Sequence, residues 1–386
     1  MRYVPHLRFP EFSGEWEEKR LAEIADLYKG CGISKDQLSD TGELCILYGE
    51  LYTKYKSEVI SEVVSKTNID TEKLVRSKAN DVIIPCSGET AEDIATARCV
   101  PYDNILLGGD MNIIRLHNVD GSFMSYQLNG KRKYDIAKGA QGVSVVHLYG
   151  EHLKTVRTYI PSIEEQTKIA KLLSLLDERI ATQNKIIEKY ESLINGIVDY
   201  TILRKYKNAI VGEVCSISEQ IQAEPDRDNI LTVRLRNKGV CKSSAENLQL
   251  GATQYFRRRA GQLIYGKQNF HNGAIGIVPE ELDNGITSKD IPSFDIDSAK
   301  CNPMYLLAQL QSSKYYEPTE ALTTGTGSKR LKEETFLNMP IVLPDREEQD
   351  KIATLIDCVT TKLNQAKEVQ ILLSSQKKYL LHEMFI

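Results

Sequence analysis

The side chains best suited to chemistry in this 386-residue chain are basic, amide and aromatic groups gathered in short runs. Lysine and arginine can pair with phosphates or guanine edges, and asparagine and glutamine can make two hydrogen bonds to adenine. On exposed loops such runs are typical of surfaces that read nucleic acid, but ordinary solvated loops can have the same composition, so both interpretations stay open. The candidate contact residues in these runs are Lys54, Tyr55, Lys56, Lys131, Arg132, Lys133, Arg234, Arg236, Lys267, Gln268, Asn269 and His271.

Two glycine-flanked segments, 139–144 and 325–330, occupy equivalent places in an internal repeat. Free backbone N–H groups in such segments can hold phosphates, although two purely structural turns would have the same sequence. A polar loop at 87–90 follows an apolar, strand-like run, and it matches the position of the loop that carries Gln268 and Asn269. These segments add the candidates Gln141, Ser144, Ser328, Lys329, Arg330, Ser87, Glu89 and Thr90.

The elements that must position these groups are visible as a repeat. The segment P-S-I-E-E-Q-T-K-I-A-K-L (161–172) returns 183 positions later as P-D-R-E-E-Q-D-K-I-A-T-L (344–355), and eight of the twelve positions are identical. A repeat of this length indicates two modules, each made of a globular stretch and a long helix. We therefore divide the chain into globular stretches at 1–160 and 207–343 and helices at 161–206 and 344–386.

Both helices are predicted from their opening and their apolar spacing. Each begins with a proline and a pair of glutamates, which suit a helix N-terminus, and then shows apolar residues at alternating steps of four and three. We predict an α+β protein with two α/β-type globular domains separated by two long antiparallel helices in a pseudo-two-fold repeat; a plain helical hairpin inside one domain is the alternative. The predicted helix–helix and partner interface consists of Ile169, Leu173, Leu176, Ile180, Ile187, Ile352, Ile356, Val359 and Leu363.

Motifs of catalysis are absent from the sequence. It contains no G-x-x-x-x-G-K-[ST], G-x-S-x-G, H-E-x-x-H or G-x-G-x-x-G. The eight cysteines form no C-x-x-C and the six histidines form no pair at metal-ligand spacing, so we expect neither a metal nor a bound cofactor. The pattern favours a binding protein over an enzyme.

The net charge and the hydropathy of the chain limit how it could bind DNA and where in the cell it is expected. The formal net charge is −4, so any DNA contact must come from local basic patches or from a partner that neutralises phosphates. No apolar run approaches the roughly 20 residues of a membrane span, and the beginning of the chain lacks the apolar core of a signal peptide. We expect a cytoplasmic protein with reduced thiols.

Three parts of the sequence together resemble a known family. They are the opening V-P-H-L-R-F-P-E-F-S-G-E-W-E-E-K-R-L-A-E-I-A (4–25), the two P-x-x-E-E-Q-x-K-I-A helices, and the ending Y-L-L-H-E-M-F-I (379–386). They resemble the specificity subunit of type I restriction-modification systems, and the resemblance covers the whole chain in order. One departure is that the second module begins without the Trp16–Glu17 pair of the first.

The resemblance implies a division of labour in a bacterial defence complex. Two target recognition domains would each read one half of a bipartite double-stranded DNA target, and the two helices would set the spacer and dock two methyltransferase subunits. Those subunits would carry S-adenosylmethionine and the adenine methylation chemistry, while restriction subunits would carry translocation and cleavage. The chain itself would be non-catalytic.

Two other classes remain as alternatives. A cytosolic scaffold would share the helices but would need no paired polar loops. A stand-alone nuclease or methyltransferase would need a catalytic constellation that the sequence does not contain.

Overall fold

A computed structural model of the chain describes residues 3–70, 72–142, 145–243, 253–325 and 329–386. The chain divides into two compact units. Unit 1 comprises Met1–Asn184 and Glu368–Ile386, and unit 2 comprises Lys185–Lys367. Each unit therefore contains one globular stretch, the first part of the long helix that follows that stretch, and the last part of the other long helix.

Unit 1 contains two β-sheets and two short β-ribbons. Its strands are β1 (Glu17–Arg20), β2 (Ala25–Lys29), β3 (Leu38–Ser39), β4 (Glu43–Ile46), β5 (Ser65–Thr67), β6 (Val75–Arg76), β7 (Asp81–Pro85), β8 (Ser87–Gly88), β9 (Arg98–Val100), β10 (Leu106–Leu107), β11 (Met111–Leu116), β12 (Val146–His147) and β13 (Arg157–Ile160). One sheet is antiparallel, in the order β2-β11-β7-β9, and the other has the order β3-β5-β4-β10-β6, with β4 and β10 parallel. The ribbons pair β1 with β13 and β8 with β12.

The central strand β7 shows how the sheet separates two cores. Successive side chains of a strand point to opposite faces. Val82 and Ile84 accordingly join one apolar cluster, whereas Ile83 joins the other, and all three are fully buried. The run D-V-I-I-P thus forms a strand that is covered on both faces. The short helices of unit 1 are α1 (Leu21–Ile24), α2 (Glu50–Thr53), α3 (Ala91–Ile94), α4 (Gly121–Asn129), α5 (Lys133–Lys138) and α6 (Gly150–Lys154).

Unit 2 is built from smaller sheets. Its strands are β14 (Ala209–Ile210), β15 (Cys215–Ile217), β16 (Gln222–Ala223), β17 (Leu231–Val233), β18 (Val240–Lys242), β19 (Tyr255–Arg257), β20 (Leu263–Tyr265), β21 (Ile275–Ile277), β22 (Ile286–Ser288), β23 (Ser293–Ile296) and β24 (Pro340–Ile341). They pair as β15-β23-β20-β21, β16-β19-β22, β17-β18 and β14-β24. Four aromatic side chains, Tyr265, Phe270, Phe294 and Phe336, pack with ring centroids 4.8 to 5.7 Å apart at the centre of its core.

Two long helices follow the globular stretches, as predicted. Helix α7 spans Ile163–Val198 and continues as a π-helical turn over Asp199–Leu203. After the short helices α8 (Pro303–Leu310), α9 (Ser313–Tyr316) and α10 (Glu333–Leu337), helix α11 spans Arg346–Glu383. No helix in the described ranges is long and apolar enough to cross a membrane.

The two helices run antiparallel within each unit. In unit 1, Asp177 of α7 contacts Lys377 of α11 at 2.5 Å, and Ile169, earlier in α7, shares a cluster with Phe385, just beyond the end of α11. In unit 2, Glu191 pairs with Lys367 at 2.8 Å, and the segment after α7 meets the beginning of α11 through the Lys205–Glu348 ion pair.

The nine predicted interface side chains on the two helices are all buried or half-buried. The earliest of them also belong to the globular cores: Ile169 and Leu173 pack with Trp16 in unit 1, and Ile352 and Ile356 pack in the main cluster of unit 2. Each helix is therefore continuous with the core of the globular stretch that precedes it. Whether a partner protein also contacts this set stays a prediction.

The repeated glutamine anchors each helix to its globular stretch. The side-chain oxygen of Gln166 accepts a hydrogen bond from the backbone N–H of Asp120, the residue that caps α4, at 2.9 Å, and its amide donates to the Pro161 carbonyl. Gln349 does the same in unit 2, where it accepts from the backbone N–H of Asn302, the cap of α8, at 2.8 Å. Both glutamines are buried, so the motif satisfies these half-buried backbone groups from the side of the core.

Candidate nucleic-acid interface

In unit 1 the polar loop and the first glycine-flanked segment meet. The ribbon of β8 and β12 places the Ser87 hydroxyl 3.2 Å from Nδ1 of His147, and His147 exchanges two backbone hydrogen bonds with Gln141. Ser87 and Gln141 therefore lie at one corner of the unit. Ser144, predicted for the same segment, lies outside the described residues.

The rest of the polar loop leads into α3. The Thr90 hydroxyl caps this helix by accepting from the Asp93 backbone N–H at 3.0 Å, and it also donates to the Asp93 carboxylate at 2.6 Å. Thr90 thus has a structural role in holding the loop. Glu89 is exposed, and its carboxylate forms no hydrogen bond or ion pair within the described part of the chain.

An open cleft of about 580 Å³ borders this loop. Tyr48 and Tyr52 line one side, and the loop with Asp93 lines the other. The Tyr52 hydroxyl donates to the Ser87 carbonyl at 3.0 Å, and burial raises the pKa of Tyr52, so the hydroxyl remains a donor at neutral pH. The two tyrosines were not among the predicted contacts, because only their tertiary position beside the loop distinguishes them.

The predicted run at 54–56 divides between surface and core. Lys54 is exposed but pairs with Glu50 at 2.6 Å, and Lys56 donates to the Tyr52 carbonyl at 2.6 Å. The prediction that Tyr55 contacts DNA is wrong, because its ring is buried in the apolar cluster with Ile83. The end of a four-residue helix turns this one residue of the run inward.

The run at 131–133 is half-buried where it enters α5. The guanidinium of Arg132 pairs with Asp135 at 3.2 Å and lies 5.3 Å from the centroid of the Tyr159 ring, so it mainly stabilises the unit. Lys131 and Lys133 remain candidate phosphate contacts.

In unit 2 the loop after β20 meets the second glycine-flanked segment. The backbone carbonyl of Lys267 accepts from Leu331, and its N–H donates to the Asp290 carbonyl. The side chain of Arg330 pairs with the Asp290 carboxylate at 3.3 Å, and that of Lys267 pairs with Glu333 at 2.7 Å. The structure therefore brings Lys267 and Arg330 to one corner, next to Gln268 and Asn269, which are exposed.

Other predicted residues of unit 2 border this corner. The N–H of Arg236 donates to the Asn272 carbonyl at 2.8 Å, which ties the turn that carries Arg234 and Arg236 to the segment with His271. Both arginines are exposed. Arg236 has a positive φ of 57°, a conformation that is uncommon for residues other than glycine and typical of a tight turn. Lys329 is exposed and pairs with Glu320, whereas Ser328 lies outside the described residues.

The two corners have the same backbone frame. Leu148 donates to the Cys86 carbonyl in unit 1, and Leu331 donates to the Lys267 carbonyl in unit 2. The paired hydrogen bonds of Gln141 and His147 recur between Thr324 and Arg330, and both sets are related by the repeat offset of 183. The offset aligns Leu148 with Leu331, so Cys86 corresponds to Lys267, and Ser87 and Gly88 correspond to Gln268 and Asn269. The predicted equivalence of these two loops is confirmed.

One buried cation was not expected from the sequence. The run 257–259 is typical of an exposed turn, but Arg258 is fully buried, and burial lowers its pKa to about 10. Its guanidinium donates to Thr287, Ser293 and the Ile291 carbonyl at 2.7 to 3.1 Å. Arg258 thereby holds the segment that carries Asp290, the partner of Arg330.

The chain is similar to known proteins along most of its length. Residues 13–192 match the family model described as the type I restriction modification DNA specificity domain. The type I restriction enzyme MjaVIII specificity subunit of Methanocaldococcus jannaschii is 22% identical over 406 aligned positions, which cover 96% of this chain and 92% of the relative. The MjaIX specificity subunit of the same organism is 24% identical over 300 positions, which cover 68% of each chain.

Two solved structures share the fold across 99% of both chains. The type I restriction-modification system S subunit from M. genitalium has a TM-score of 0.64 at 15% identity. A chain from a structure of complex assembly and conformational transition in the type I restriction-modification system has a TM-score of 0.53 at 16% identity. At these identities the likeness establishes the fold. Together with the family model and the curated relatives, it confirms the resemblance found in the sequence: along nearly its whole length this chain is similar to specificity subunits of type I restriction-modification systems.

Proposed function

We propose that this chain is the non-catalytic subunit that chooses the DNA sequence for a type I restriction-modification complex. The globular stretches of units 1 and 2 each read one half of a bipartite target, and the two long helices set the gap between the halves. The observation that carries the proposal is the repeated frame at the two loop corners, which holds different side chains at equivalent positions. Such a frame suits two readers of different half-sites.

Base edges in the major groove supply the chemistry of selection. Each base pair presents a distinct pattern of donors and acceptors there, whereas phosphates carry no sequence information. The exposed Gln268 and Asn269 can pair with adenine, and Arg234, Arg236 and the lysines of both units can position the phosphates. Because the chain has a formal net charge of −4, partner subunits must supply much of the phosphate neutralisation.

Methylation chemistry belongs to the proposed partners. Two methyltransferase subunits would bring S-adenosylmethionine and methylate adenine in the cytoplasm, and restriction subunits would complete the complex. Among the described residues, no group of three or more His, Cys, Asp or Glu is arranged to hold a metal. This chain's part is to bind and orient the DNA.

A groove on the helices of unit 1 is the proposed docking face for a methyltransferase subunit. It has a volume of about 690 Å³ and is lined by Leu172, Leu175 and Leu176 of α7 and by Val369 and Leu373 of α11. Leu175 is 50% exposed, an unusual degree for a leucine on a helix that also contributes to a core.

A charged substitution tests this docking face. Leu175→Asp should weaken co-purification with the methyltransferase subunit, because a carboxylate would have to be desolvated in an apolar contact. Val64→Asp is the matched control, since Val64 is 53% exposed and does not line the groove. Equal co-purification of both variants with the methyltransferase would remove the groove from the proposal.

Methylation mapping tests the specificity role itself. Genomic DNA is compared between cells that express this chain with its cognate methyltransferase subunit and cells that express that subunit alone. The proposal expects methylated adenine in a bipartite motif with a fixed gap only when this chain is present. A stable complex that adds no methylation would favour the scaffold alternative.

The length of the helices tests the spacer role. Helix α7 has 36 residues, or about 54 Å at 1.5 Å per residue. A seven-residue insertion in both α7 and α11 keeps the phase of the apolar seam and adds about 10 Å, which corresponds to about three base pairs at 3.4 Å each. The mapped gap should grow accordingly, whereas an unchanged gap would exclude the helices as the spacer.

A further inference from the structure

The free carboxylate of Glu89 is the feature of unit 1 that the phosphate-binding chemistry does not explain. It is exposed at the mouth of the cleft formed with Tyr48 and Tyr52, and it forms no bond within the described ranges. Phosphates repel a carboxylate, so such a group on a DNA-reading loop is unfavourable unless the DNA offers it a donor. In the major groove that donor is the exocyclic amino group of cytosine or adenine.

The backbone around Glu89 is held in place on both sides. Before it, the Ser87 carbonyl accepts from the Tyr52 hydroxyl at 3.0 Å, and a Cβ on Gly88 would lie only 3.0 Å from that hydroxyl. After it, Thr90 caps α3. The loop therefore presents the carboxylate from a frame with few alternative positions, which favours selection over loose attraction.

The equivalent corner of unit 2 exposes different polar groups. Cys86, Ser87 and Gly88 of unit 1 correspond there to Lys267, Gln268 and Asn269. The same alignment places the buried Phe270 opposite Glu89, and the Lys267 side chain pairs with Glu333. Unit 2 therefore exposes the amides of Gln268 and Asn269, which donate and accept hydrogen bonds, whereas the carboxylate of Glu89 in unit 1 only accepts. Different exposed groups on one frame suit two different half-sites.

We propose that Glu89 is a specificity-determining residue whose carboxylate accepts a hydrogen bond from the exocyclic amino group of a cytosine or an adenine in the half-site read by unit 1. The same carboxylate rejects guanine and thymine at that place on the strand, because their major-groove oxygens are acceptors and would face it. This inference rests on the proposed function and adds the class of base edge that one residue reads.

Methylation of a randomised DNA library by the complete complex locates the contact. Glu89→Ala should relax one position of one half-site by about 5- to 150-fold, the usual discrimination of one good base contact, and should leave the other half and the gap unchanged. Glu92→Ala is the matched control: it removes the same charge three residues away, from an exposed residue outside the cleft, and should leave the motif intact. Gln268→Ala should alter the opposite half-site, which assigns each half to its unit.

Base analogues then test the amino group itself. Duplexes carry purine in place of adenine, or 2-pyrimidinone in place of cytosine, at the relaxed position. Loss of the amino group should weaken binding by the wild-type complex by a similar factor and should have no further effect on the Glu89→Ala complex; the analogue that acts identifies the base.

The possible failures are distinguishable. A wild-type complex that gives no bipartite motif would contradict the proposed function. A normal wild-type motif that Glu89→Ala leaves unchanged, or equal sensitivity of both complexes to the analogues, would overturn the role of Glu89 alone.

Discussion

In units 1 and 2 a glutamine anchors the long helix in the same way, but the seam, the set of side chains through which the two long helices contact each other, differs. Gln166 and Gln349 bind equivalent backbone groups, yet the seam of unit 1 contains Lys377 and Asp177 where the repeat offset places Ile194 and Thr360 in unit 2. Lys377 also pairs with Glu58, and this cluster is almost entirely buried. The repeat therefore preserves what positions each unit, whereas the residues that fill the frame have diverged.

The buried cluster of Lys377, Glu58 and Asp177 limits how the two long helices can pack in unit 1. Burial raises the pKa of Glu58, and Lys377 offsets this by stabilising the charged form. A buried polar group at one seam position favours one register and one partner, because every other pairing leaves the charges unsatisfied. In unit 1 the buried cluster favours one packing of the end of α11, whereas the ion pairs between the helical segments of unit 2, Glu191–Lys367 and Lys205–Glu348, are exposed.

Among the substitutions that test this comparison, replacing Lys377 of unit 1 by the isoleucine that unit 2 has at the equivalent seam position should lower the free energy of unfolding most. Lys377→Ile leaves the carboxylates of Glu58 and Asp177 buried without their cation, so the free energy of unfolding should fall by about 3–5 kcal/mol. Urea unfolding combined with hydrogen exchange in unit 1 measures the loss. The control is Lys367→Ala in unit 2, because its exposed pair with Glu191 is worth only about 0–1 kcal/mol. Similar losses for both variants would contradict the distinction between the two seams.

Replacing the glutamate that precedes each anchoring glutamine should lower the free energy of unfolding more in unit 1 than in unit 2. Glu165 is buried and accepts two hydrogen bonds from Arg8, at 2.7 and 2.8 Å, so Glu165→Gln should cost about 1.5–3 kcal/mol. Glu348 makes an exposed pair with Lys205, so Glu348→Gln should cost about 0–1 kcal/mol. Chemical unfolding of the two variants under identical conditions checks the difference, and a reversed order would show that burial does not govern these pairs.

Replacing either anchoring glutamine by alanine should lower the free energy of unfolding by a similar amount in the two units. Gln166→Ala and Gln349→Ala each remove a buried side chain and leave a half-buried backbone N–H without its acceptor, so the free energy of unfolding should fall by about 1–3 kcal/mol. Faster hydrogen exchange should appear at Asp120 in the first variant and at Asn302 in the second. The exposed neighbour Glu164 provides a control, because Glu164→Ala removes no buried bond. A large effect in one unit only would break the equivalence of the two anchors.

The parts that the sequence predicted correctly are those that depend on local pattern. Heptad spacing and the repeated P-x-x-E-E-Q opening placed both helices, and the offset of 183 aligned the loop of Ser87 with that of Gln268. The helices are long enough for periodicity to identify the buried face. The resemblance, confirmed by the comparisons, led to the same two-unit arrangement.

The errors concern single side chains whose burial depends on distant elements. Tyr55 lies between two exposed lysines in the sequence, but its ring packs in the core with Ile83. Arg258 lies between two exposed arginines and is buried against Thr287 and Ser293. Composition identifies a polar run, but only the tertiary packing decides which of its members turns inward. Which of the exposed candidates contact DNA stays a prediction.

Exchange of one globular stretch tests the central claim most directly. Residues 1–160 are replaced by the corresponding stretch of a relative with a different target, and adenine methylation is mapped for the chimera and the original chain, each with the same methyltransferase subunit. If each unit reads its own half-site at a distance set by the helices, one half of the motif changes, and the other half and the gap stay the same. A chimera that methylates the original motif, or one that changes both halves together, would contradict this account.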